Sequence, residues 1–93
     1  MAWYVYVARC RDGSLYAGAS PDPAARLRQH NAGRGSAYIR SRRPARLVYR
    51  ERCGSRGRAL RREAEIKGWP RPIKLALIRS ARMLTNGRTH ADV

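Results

Sequence analysis

Residues 3–20 read WYVYVARCRDGSLYAGAS, and this stretch decides how the rest of the chain folds. Residues 3–10 alternate and are rich in aromatic and β-branched side chains, which predicts a strand. Residues 14–19 read as an antiparallel partner, with Asp12 and Gly13 in the turn between the two strands. The stretch therefore predicts a β-hairpin at the start of the fold.

Helix and strand signals continue beyond the hairpin. Ser20 or Asp22 can cap a helix that begins with Pro23, a residue suited to the first helical position. The following segments are predicted as a helix, a basic loop, a third strand and two further helices, at residues 23–30, 32–44, 46–52, 55–67 and 72–82. The order β-β-α-β-α-α predicts an α+β fold, a small three-stranded antiparallel sheet flanked by about three helices. We predict one domain over residues 1–84 and a flexible C-terminal tail over residues 85–93.

The composition is strongly basic. The formal net charge is +15 at pH 7, with 21 Lys and Arg residues against six Asp and Glu residues. Arginine binds phosphate bidentately and stacks on bases, so the composition favours a nucleic-acid partner. A GC-rich genome would explain arginine in place of lysine, but it would not explain the scarcity of acids. An anionic membrane or protein surface is the alternative partner.

The two cysteines and the hydropathy pattern indicate the compartment. Cys10 and Cys53 form no close pair of metal-ligand type, and we predict free buried thiols in a reducing compartment. No apolar run approaches the roughly 18 residues of a transmembrane helix. The start of the chain enters a strand pattern directly, without a signal peptide. We therefore predict a cytoplasmic protein that does not enter a membrane.

Several short motifs follow one another in a fixed order: Tyr4-Val5-Tyr6, Asp12-Gly13-Ser14-Leu15-Tyr16-Ala17-Gly18, Arg26-Leu27, His30-Asn31, Arg61-Arg62-Glu63 and Ile66-Lys67. At these separations they resemble the GIY-YIG endonuclease superfamily. The resemblance is greatest to its small single-domain bacterial branch and covers residues 3–78. Either tyrosine triplet alone would be a weak signal, whereas the complete ordered set is specific.

The resemblance implies a metal-dependent endonuclease that hydrolyses phosphodiester bonds of DNA. It implies that Arg26 holds the scissile phosphate, that His30 helps to activate water and that Glu63 binds one Mg²⁺ or Mn²⁺ ion. It also implies catalytic roles for Tyr6 and Tyr16. The same match makes Gly18 the structural glycine that lets the backbone pass closely.

This chain departs from the family pattern at three places. The first triplet begins with Tyr4 in place of glycine, and Ala17 replaces a bulkier residue without removing a chemical group. Relatives often carry a charged residue before the loop tyrosine, where this chain has Ala37 before Tyr38. The role of Tyr38 is therefore open.

Glu63 can be interpreted in two ways from the residues themselves. Its carboxylate can hold one hard cation while waters and substrate phosphate fill the shell. Two-metal nucleases need several clustered acids, which this chain lacks. The alternative is a solvated helix charge paired with an arginine or with Lys67. Glu63 shares a helical stripe with Ala59 and Ile66, so we expect it to face the body of the domain.

Arg26 and His30 are four residues apart, which places them on one face of a helix. Arg26 can clamp a phosphate with two hydrogen bonds. His30 has an ordinary pKa suited to general-base work. The alternative for His30 is a histidine that interacts with the dipole at the helix C-terminus. Spacing alone favours that alternative, and the resemblance favours the catalytic role.

The register of the hairpin decides whether Tyr6 and Tyr16 can act together. A two-residue turn would place them on opposite faces of the sheet. A three-residue loop at residues 11–13, with Gly13 left-handed, pairs Tyr16 with Ala8 and brings both tyrosines to one face. A joint role needs one face, so we predict the three-residue loop. With an ordinary pKa of about 10, Tyr6 would be a base only if His30 or a metal hydroxide took its proton.

The basic loop is predicted to follow a nucleic-acid backbone through Arg34, Tyr38, Arg40, Arg42 and Arg43. Such contacts position the substrate without reading sequence. A further group of arginines on the second helix could extend this surface: Arg56, Arg58, Arg61 and Arg62.

Three functions compete at this point. The first is a nuclease selective for DNA structure, such as a branch, a flap or a nick, because the chain has no room for a separate sequence-reading domain. The second is a non-cleaving DNA- or RNA-binding module of the same fold. The third is a basic partner of ribosomes or other RNA assemblies. A protein partner could also supply the specificity of a small nuclease.

Overall fold

The computed structural model describes the backbone of residues 2–92 and the side chains of residues 2–81. Within this part of the chain, three strands form one antiparallel sheet in the order β2-β1-β3. They are β1 Trp3–Arg9, β2 Leu15–Ser20 and β3 Arg46–Cys53. The helices are α1 Pro23–Asn31, α2 Ala37–Arg40, α3 Arg56–Gly68 and α4 Arg71–Asp92. The predicted α+β fold is confirmed.

The hairpin has the predicted register. Ala8 pairs with Tyr16 across the two strands. The loop between them comprises residues 11–13 and is closed by two backbone hydrogen bonds. The Cys10 amide donates to Ser14 O at 2.9 Å, and the Gly13 amide donates to Cys10 O at 2.9 Å. Gly13 has φ +87°, the left-handed conformation that glycine adopts at little cost. The prediction of a three-residue loop is therefore confirmed.

Capping side chains determine where the predicted helices α1 and α3 begin. The Asp22 carboxylate accepts a hydrogen bond from the Ala25 amide at 3.1 Å, and Pro23 follows as the first residue of α1. The Ser55 hydroxyl accepts from the Arg58 amide at 3.2 Å at the start of α3. Both helices lie within one residue of their predicted bounds.

The basic segment after α1 differs from the prediction of a plain loop. It contains α2, whose start is capped by the Ser36 hydroxyl, which accepts from the Tyr38 amide at 3.2 Å. Beside it, the Asn31 side chain both donates to Ala45 O and accepts from Ala45 N at 2.8 Å. A four-residue helix is too short to give a helical periodicity in the sequence, which is why the pattern did not reveal it.

The sheet has two differently covered faces. The tyrosine face packs against α1 and α2, with a buried cluster of Tyr6, Ala8, Cys10, Leu27, Ile39 and Ala45. The aliphatic face packs against α3 and α4, with a buried cluster of Val5, Val7, Ala17, Ile66 and Ile78. Successive residues of β1 alternate between the two clusters, as a strand requires.

Three predictions about the remaining residues need correction or stay open. Ile73, Leu77 and Ile78 have the spacing of one apolar side of the last helix, which predicts that this side packs on the domain. Ile73 is 48% exposed, however, because of these three only Leu77 and Ile78 reach the sheet. Both cysteines are free, yet Cys53 is half-buried and only Cys10 is fully covered. The last helix is predicted to end near residue 82, but α4 continues to Asp92, so the backbone of residues 85–92 is helical. The flexibility predicted for residues 85–93 stays a prediction. No helix among the described residues is long and apolar enough to cross a bilayer.

Candidate active site

Tyr6 lies at the centre of the site and owes its position to Gly18. Its side chain is 1% exposed, and Gly18 is its partner on the edge strand β2. A Cβ atom built on Gly18 would lie 2.5 Å from Tyr6 Oη and 2.6 Å from Cζ. No side chain larger than hydrogen fits there, so glycine allows the tyrosine ring to lie over β2. Gly18 was predicted to let the backbone pass closely, and in the structure the group that comes close to it is the Tyr6 side chain.

Tyr16 lies among three other aromatic rings on the tyrosine face. The ring centroid of Tyr16 is 6.5 Å from that of Tyr6, 5.7 Å from that of His30 and 5.9 Å from that of Tyr38. Tyr6 and Tyr16 share one face, as the register predicted. Tyr38 is 39% exposed, and the Arg42 guanidinium lies 3.9 Å from its ring centroid. Tyr38 therefore lies at the rim of the site.

His30 is buried between the protein backbone and Tyr6. It is 1% exposed, its Nδ1 accepts a hydrogen bond from the Ser36 amide at 3.1 Å, and its Nε2 lies 3.4 Å from Tyr6 Oη. Burial, and then the nearby positive charge of Arg26, lower the pKa of His30 below its ordinary value, against a backbone hydrogen bond at Arg34 that raises it. The imidazole is therefore neutral at pH 7.

The phenol of Tyr6 is held in its protonated form. Burial, followed by the neighbouring Tyr16, raises the pKa of Tyr6 to about 12, while the Arg26 charge acts in the opposite direction. The negative charge of Glu63 also raises this pKa, so the carboxylate lies within electrostatic reach of the phenol. At neutral pH, Tyr6 can donate a hydrogen bond but is not a ready base.

Arg26 lies one helical turn before His30, as predicted. Its side chain is exposed, and its Nη1 donates to the Gln29 amide oxygen at 3.3 Å. Its charge acts on both Tyr6 and His30. A hydrogen bond from Arg26 also lowers the pKa of Tyr6, so the guanidinium bonds to both Gln29 and Tyr6.

Glu63 and Lys67 reach the same place from the other side of the sheet. Glu63 Oε2 accepts from Lys67 Nζ at 2.8 Å, and the Glu63 side chain is only 17% exposed. Lys67 Nζ lies 5.8 Å from the ring centroid of Tyr16. The hydrogen bond to Glu63 raises the pKa of Lys67. Since α3 packs on the aliphatic face and Tyr16 points to the other, the two groups meet at the β2 edge.

Glu63 has the position expected from its helical stripe and also the ion pair of the alternative interpretation, while its metal-binding role stays a prediction. The residue faces the body of the domain, in line with buried Ala59 and Ile66, and it also pairs with Lys67. The sequence treated Lys67 only as a competing charge and missed it as a member of the site. Its spacing of four residues from Glu63 was the available signal.

The described carboxylates other than Glu63 are engaged elsewhere. Asp12 accepts from the Ser14 hydroxyl and amide and pairs with Arg42 at 3.2 Å, and the Ser14 bonds lower the pKa of Asp12. Asp22 caps α1. Arg62 holds the remaining two, Glu51 at 3.1 Å and Glu65 at 2.7 Å.

A single carboxylate decides which cations the site could hold. Among the described side chains, no group of three His, Cys, Asp or Glu residues could enclose a metal ion. Mg²⁺ binds proteins through one or two carboxylates together with waters and substrate phosphate, so Glu63 fits that donor set. Lys67 occupies one of its carboxylate oxygens and would have to share or release it.

The arginines of the basic segment divide into two kinds. Arg34 and Arg40 are exposed. Arg42 Nη1 donates to Tyr38 O at 3.0 Å, and Arg43 Nε donates to Arg40 O at 2.9 Å. Arg42 and Arg43 therefore stabilise the backbone of this basic segment through hydrogen bonds to its carbonyl oxygens.

Comparison with known proteins agrees with this architecture. The GIY-YIG catalytic domain family matches residues 2–76. A UPF0213 protein of Staphylococcus haemolyticus is 48% identical over 75 residues, which cover 81% of this chain and 92% of that protein. One of Staphylococcus aureus is 47% identical over 76 residues, covering 82% and 93%.

Two solved structures share the fold. The solution NMR structure of a UPF0213 protein from Bacillus halodurans has a TM-score of 0.55 and 39% identity, covering 85% of this chain and 84% of that one. That of a protein from E. faecalis has a TM-score of 0.61 and 34% identity, covering 89% and 88%. The chain therefore belongs to the GIY-YIG family. Its bacterial relatives are small UPF0213 proteins.

Proposed function

We propose that this chain is an endonuclease that hydrolyses phosphodiester bonds of DNA, with one Mg²⁺ or Mn²⁺ ion held by Glu63. One observation carries the proposal. Tyr6, Tyr16 and His30 lie on the tyrosine face. Glu63, on the helix of the opposite face, pairs with Lys67, whose Nζ is 5.8 Å from the Tyr16 ring centroid, so polar groups of both faces converge at one edge of the sheet. Packing alone gives no reason for polar groups from both faces to meet there.

The side chains divide the work according to their environments. Arg26, exposed and always charged, binds the phosphate that is attacked. Tyr16 orients water or a phosphate oxygen by hydrogen bonding, and Tyr6 donates a hydrogen bond from a phenol that stays protonated. A divalent ion, when bound, stabilises the charge that develops on the phosphoryl oxygens and activates water. Lys67 provides a positive charge near Glu63 when that ion is absent.

The proposed substrate is DNA recognised by its structure, such as a branch, a flap or a nick. Arginines of the basic segment supply backbone contacts, which position a substrate without reading its sequence. RNA and a protein partner that supplies specificity are parts of the same proposal, as is a cytoplasmic location.

A second function is favoured by one specific observation. Lys67 already neutralises the Glu63 carboxylate at 2.8 Å, which competes with a metal ion. In this alternative, the chain holds DNA or RNA by charge and does not cleave it.

The test is cleavage of labelled linear, nicked, flapped and four-way-branched DNA in Mg²⁺, in Mn²⁺ and in EDTA. The variant is Glu63→Gln, which keeps the shape of the side chain and removes its charge. Loss of a metal site is worth several kcal/mol of transition-state stabilisation, so we expect cleavage to fall about 1,000-fold or more. Binding of the same DNA in EDTA should stay within about fivefold, since one charge lost from the Glu63–Lys67 pair is worth about 1 kcal/mol or less.

Glu65→Gln is the matched control, because Glu65 lies on the same helix, is 59% exposed and pairs only with Arg62 among the described side chains. It should cleave as the wild type does. If wild type and both variants bind DNA equally and none cleaves any substrate, the nuclease proposal is wrong and the binding module is the function of the isolated chain.

A further inference from the structure

The contacts of His30 fix where its proton lies. Its Nδ1 faces the Ser36 backbone amide at 3.1 Å. A backbone N–H can only donate, so Nδ1 must carry a lone pair. A neutral imidazole has one proton, and burial keeps His30 neutral at pH 7. The proton is therefore on Nε2.

The other nitrogen then determines the direction of the bond to Tyr6. Nε2 lies 3.4 Å from Tyr6 Oη, a long hydrogen bond of the kind that shortens when substrate binds. Because Nε2 carries the proton, His30 donates and the Tyr6 oxygen accepts. The hydroxyl proton of Tyr6 must then point away from His30, towards other partners.

Gly35 makes this arrangement possible. It has φ +96°, and a Cβ atom built on it would lie 2.6 Å from His30 Nδ1 and 2.8 Å from Cε1. Only glycine lets the backbone come close enough for the next amide to reach the ring. A ring turned over by 180° would present carbon to Ser36 and leave a partly buried amide without an acceptor, which is unfavourable.

We propose that the Gly35–Ser36 backbone locks His30 as an Nε2–H donor, which makes His30 a positioning residue for Tyr6 and not a general base. A base would need a free lone pair at Nε2 and hence a proton on Nδ1. A backbone hydrogen bond at Arg34 favours a protonated ring nitrogen, but the Ser36 N–H lies 3.1 Å from Nδ1 and leaves no room for a proton there. The sequence, by contrast, predicted that His30 takes up a proton. The consequence for cleavage rests on the proposed function, whereas the tautomer itself does not.

The direct test is ¹⁵N NMR of protein labelled at histidine, with the signals of the two histidines assigned through a His90→Gln variant. We expect His30 to show a protonated Nε2 and an unprotonated Nδ1 from pH 6.5 to pH 8. Ser36→Ala keeps the backbone amide and should leave this pattern unchanged. Gly35→Ala forces the segment away from the ring and should give a mixture of tautomers. A His30 signal with the proton on Nδ1 in the wild type would overturn the proposal.

Cleavage by two His30 variants tests the positioning role. In His30→Gln, the amide can place an N–H near the former Nε2 position, and it cannot act as a base at any pH. His30→Asn is too short to reach Tyr6. We expect Gln to retain activity within about tenfold of wild type, the equivalent of one hydrogen bond, and Asn to lose about 100-fold or more.

Equal, near-complete loss in both folded variants would show that His30 acts as a base and that the positioning role is wrong. If the wild type itself cleaves no substrate, the proposed function fails. The NMR pattern still decides the tautomer in that case, so the two failures are distinguishable.

Discussion

The two faces of one strand show how this small domain separates stability from chemistry. On the aliphatic face, β1 contributes Val5 and Val7 to a cluster with Ile66 and Ile78. On the tyrosine face, the same strand contributes Tyr6, whose buried hydroxyl meets the equally buried His30. A buried polar group costs free energy unless it is paired. The tyrosine face avoids that cost by pairing its polar groups with one another and with backbone.

This difference assigns separate tasks to alternate residues of β1. The buried aliphatic cluster can be altered in volume with consequences mainly for folding, because its own members are all apolar and Glu63 joins the site from the edge of α3. The tyrosine face responds to small shifts in position, since its hydrogen bonds depend on distances of a few tenths of an ångström.

The largest expected effect comes from the aliphatic face. Ile66 is 0% exposed, and Ile66→Ala should lower the free energy of unfolding by about 2–5 kcal/mol through lost burial and a residual cavity. Urea unfolding measures this loss. Cleavage per folded molecule should stay near the wild-type value although Glu63 is on the same helix.

Leu60→Ala is the control on that helix, because Leu60 is 43% exposed and should cost far less. If Ile66→Ala also abolishes cleavage in conditions where the protein is fully folded, the two faces are not independent.

The next effect comes from the tyrosine face. In Gly18→Ala, the new methyl group overlaps the Tyr6 ring, which must move. A displacement of about 1 Å can cost about 100-fold in rate, so we expect a loss of that order in cleavage. The free energy of unfolding should fall by about 1–3 kcal/mol from overpacking.

Gly57→Ala is a matched control, since a Cβ there meets nothing closer than Ser55 Oγ at 3.9 Å. It lies in α3 and should raise stability slightly through helix propensity. Wild-type cleavage by Gly18→Ala would mean that the position of the Tyr6 ring does not matter.

The smallest effect is a pH dependence that only the tyrosine face should show. The pKa of His30 is lower in the folded state than in the unfolded chain. The unfolded chain therefore binds a proton first as the pH falls below about 6.5, and stability decreases, by at most about 1.4 kcal/mol per pH unit. Above about pH 7, both states are neutral and this contribution is flat. Unfolding curves from pH 8 to pH 5 for wild type and His30→Gln should diverge only below pH 6.5. Parallel curves would show that His30 has an ordinary pKa when folded.

Much of the tyrosine face could be predicted from sequence because its information is local. The three-residue loop was predicted because a joint role requires Tyr6 and Tyr16 on one face of the sheet. Gly13, which adopts φ +87°, makes that loop possible. Asp22 and Ser55 indicated where two helices begin. The four-residue spacing predicted that Arg26 and His30 lie on one face of a helix. The family resemblance supplied the meaning of these residues, which spacing alone left undecided.

The remaining features depend on tertiary contacts that no local pattern encodes. The Ser36 amide reaches His30 only after the chain has turned through Gly33 and Gly35, both at positive φ. Glu63 approaches Tyr6 only because α3 packs beside the edge strand. Ile73 has the spacing of a core residue but lies beyond the sheet that would cover it. Each of these features depends on how one helix, strand or loop packs against another, which local sequence does not specify.

The pairing of the described carboxylates has one more consequence. Arg42, Arg62 and Lys67 are the cations in ion pairs with them, while the whole chain carries a net charge of +15. The excess arginines therefore repel one another across a surface with few opposing charges, and this self-repulsion opposes the compact state. A polyanion laid along that surface removes the repulsion as it displaces its own counterions. Binding of the proposed nucleic acid should therefore raise the free energy of unfolding of this domain, because it relieves the repulsion that opposes folding.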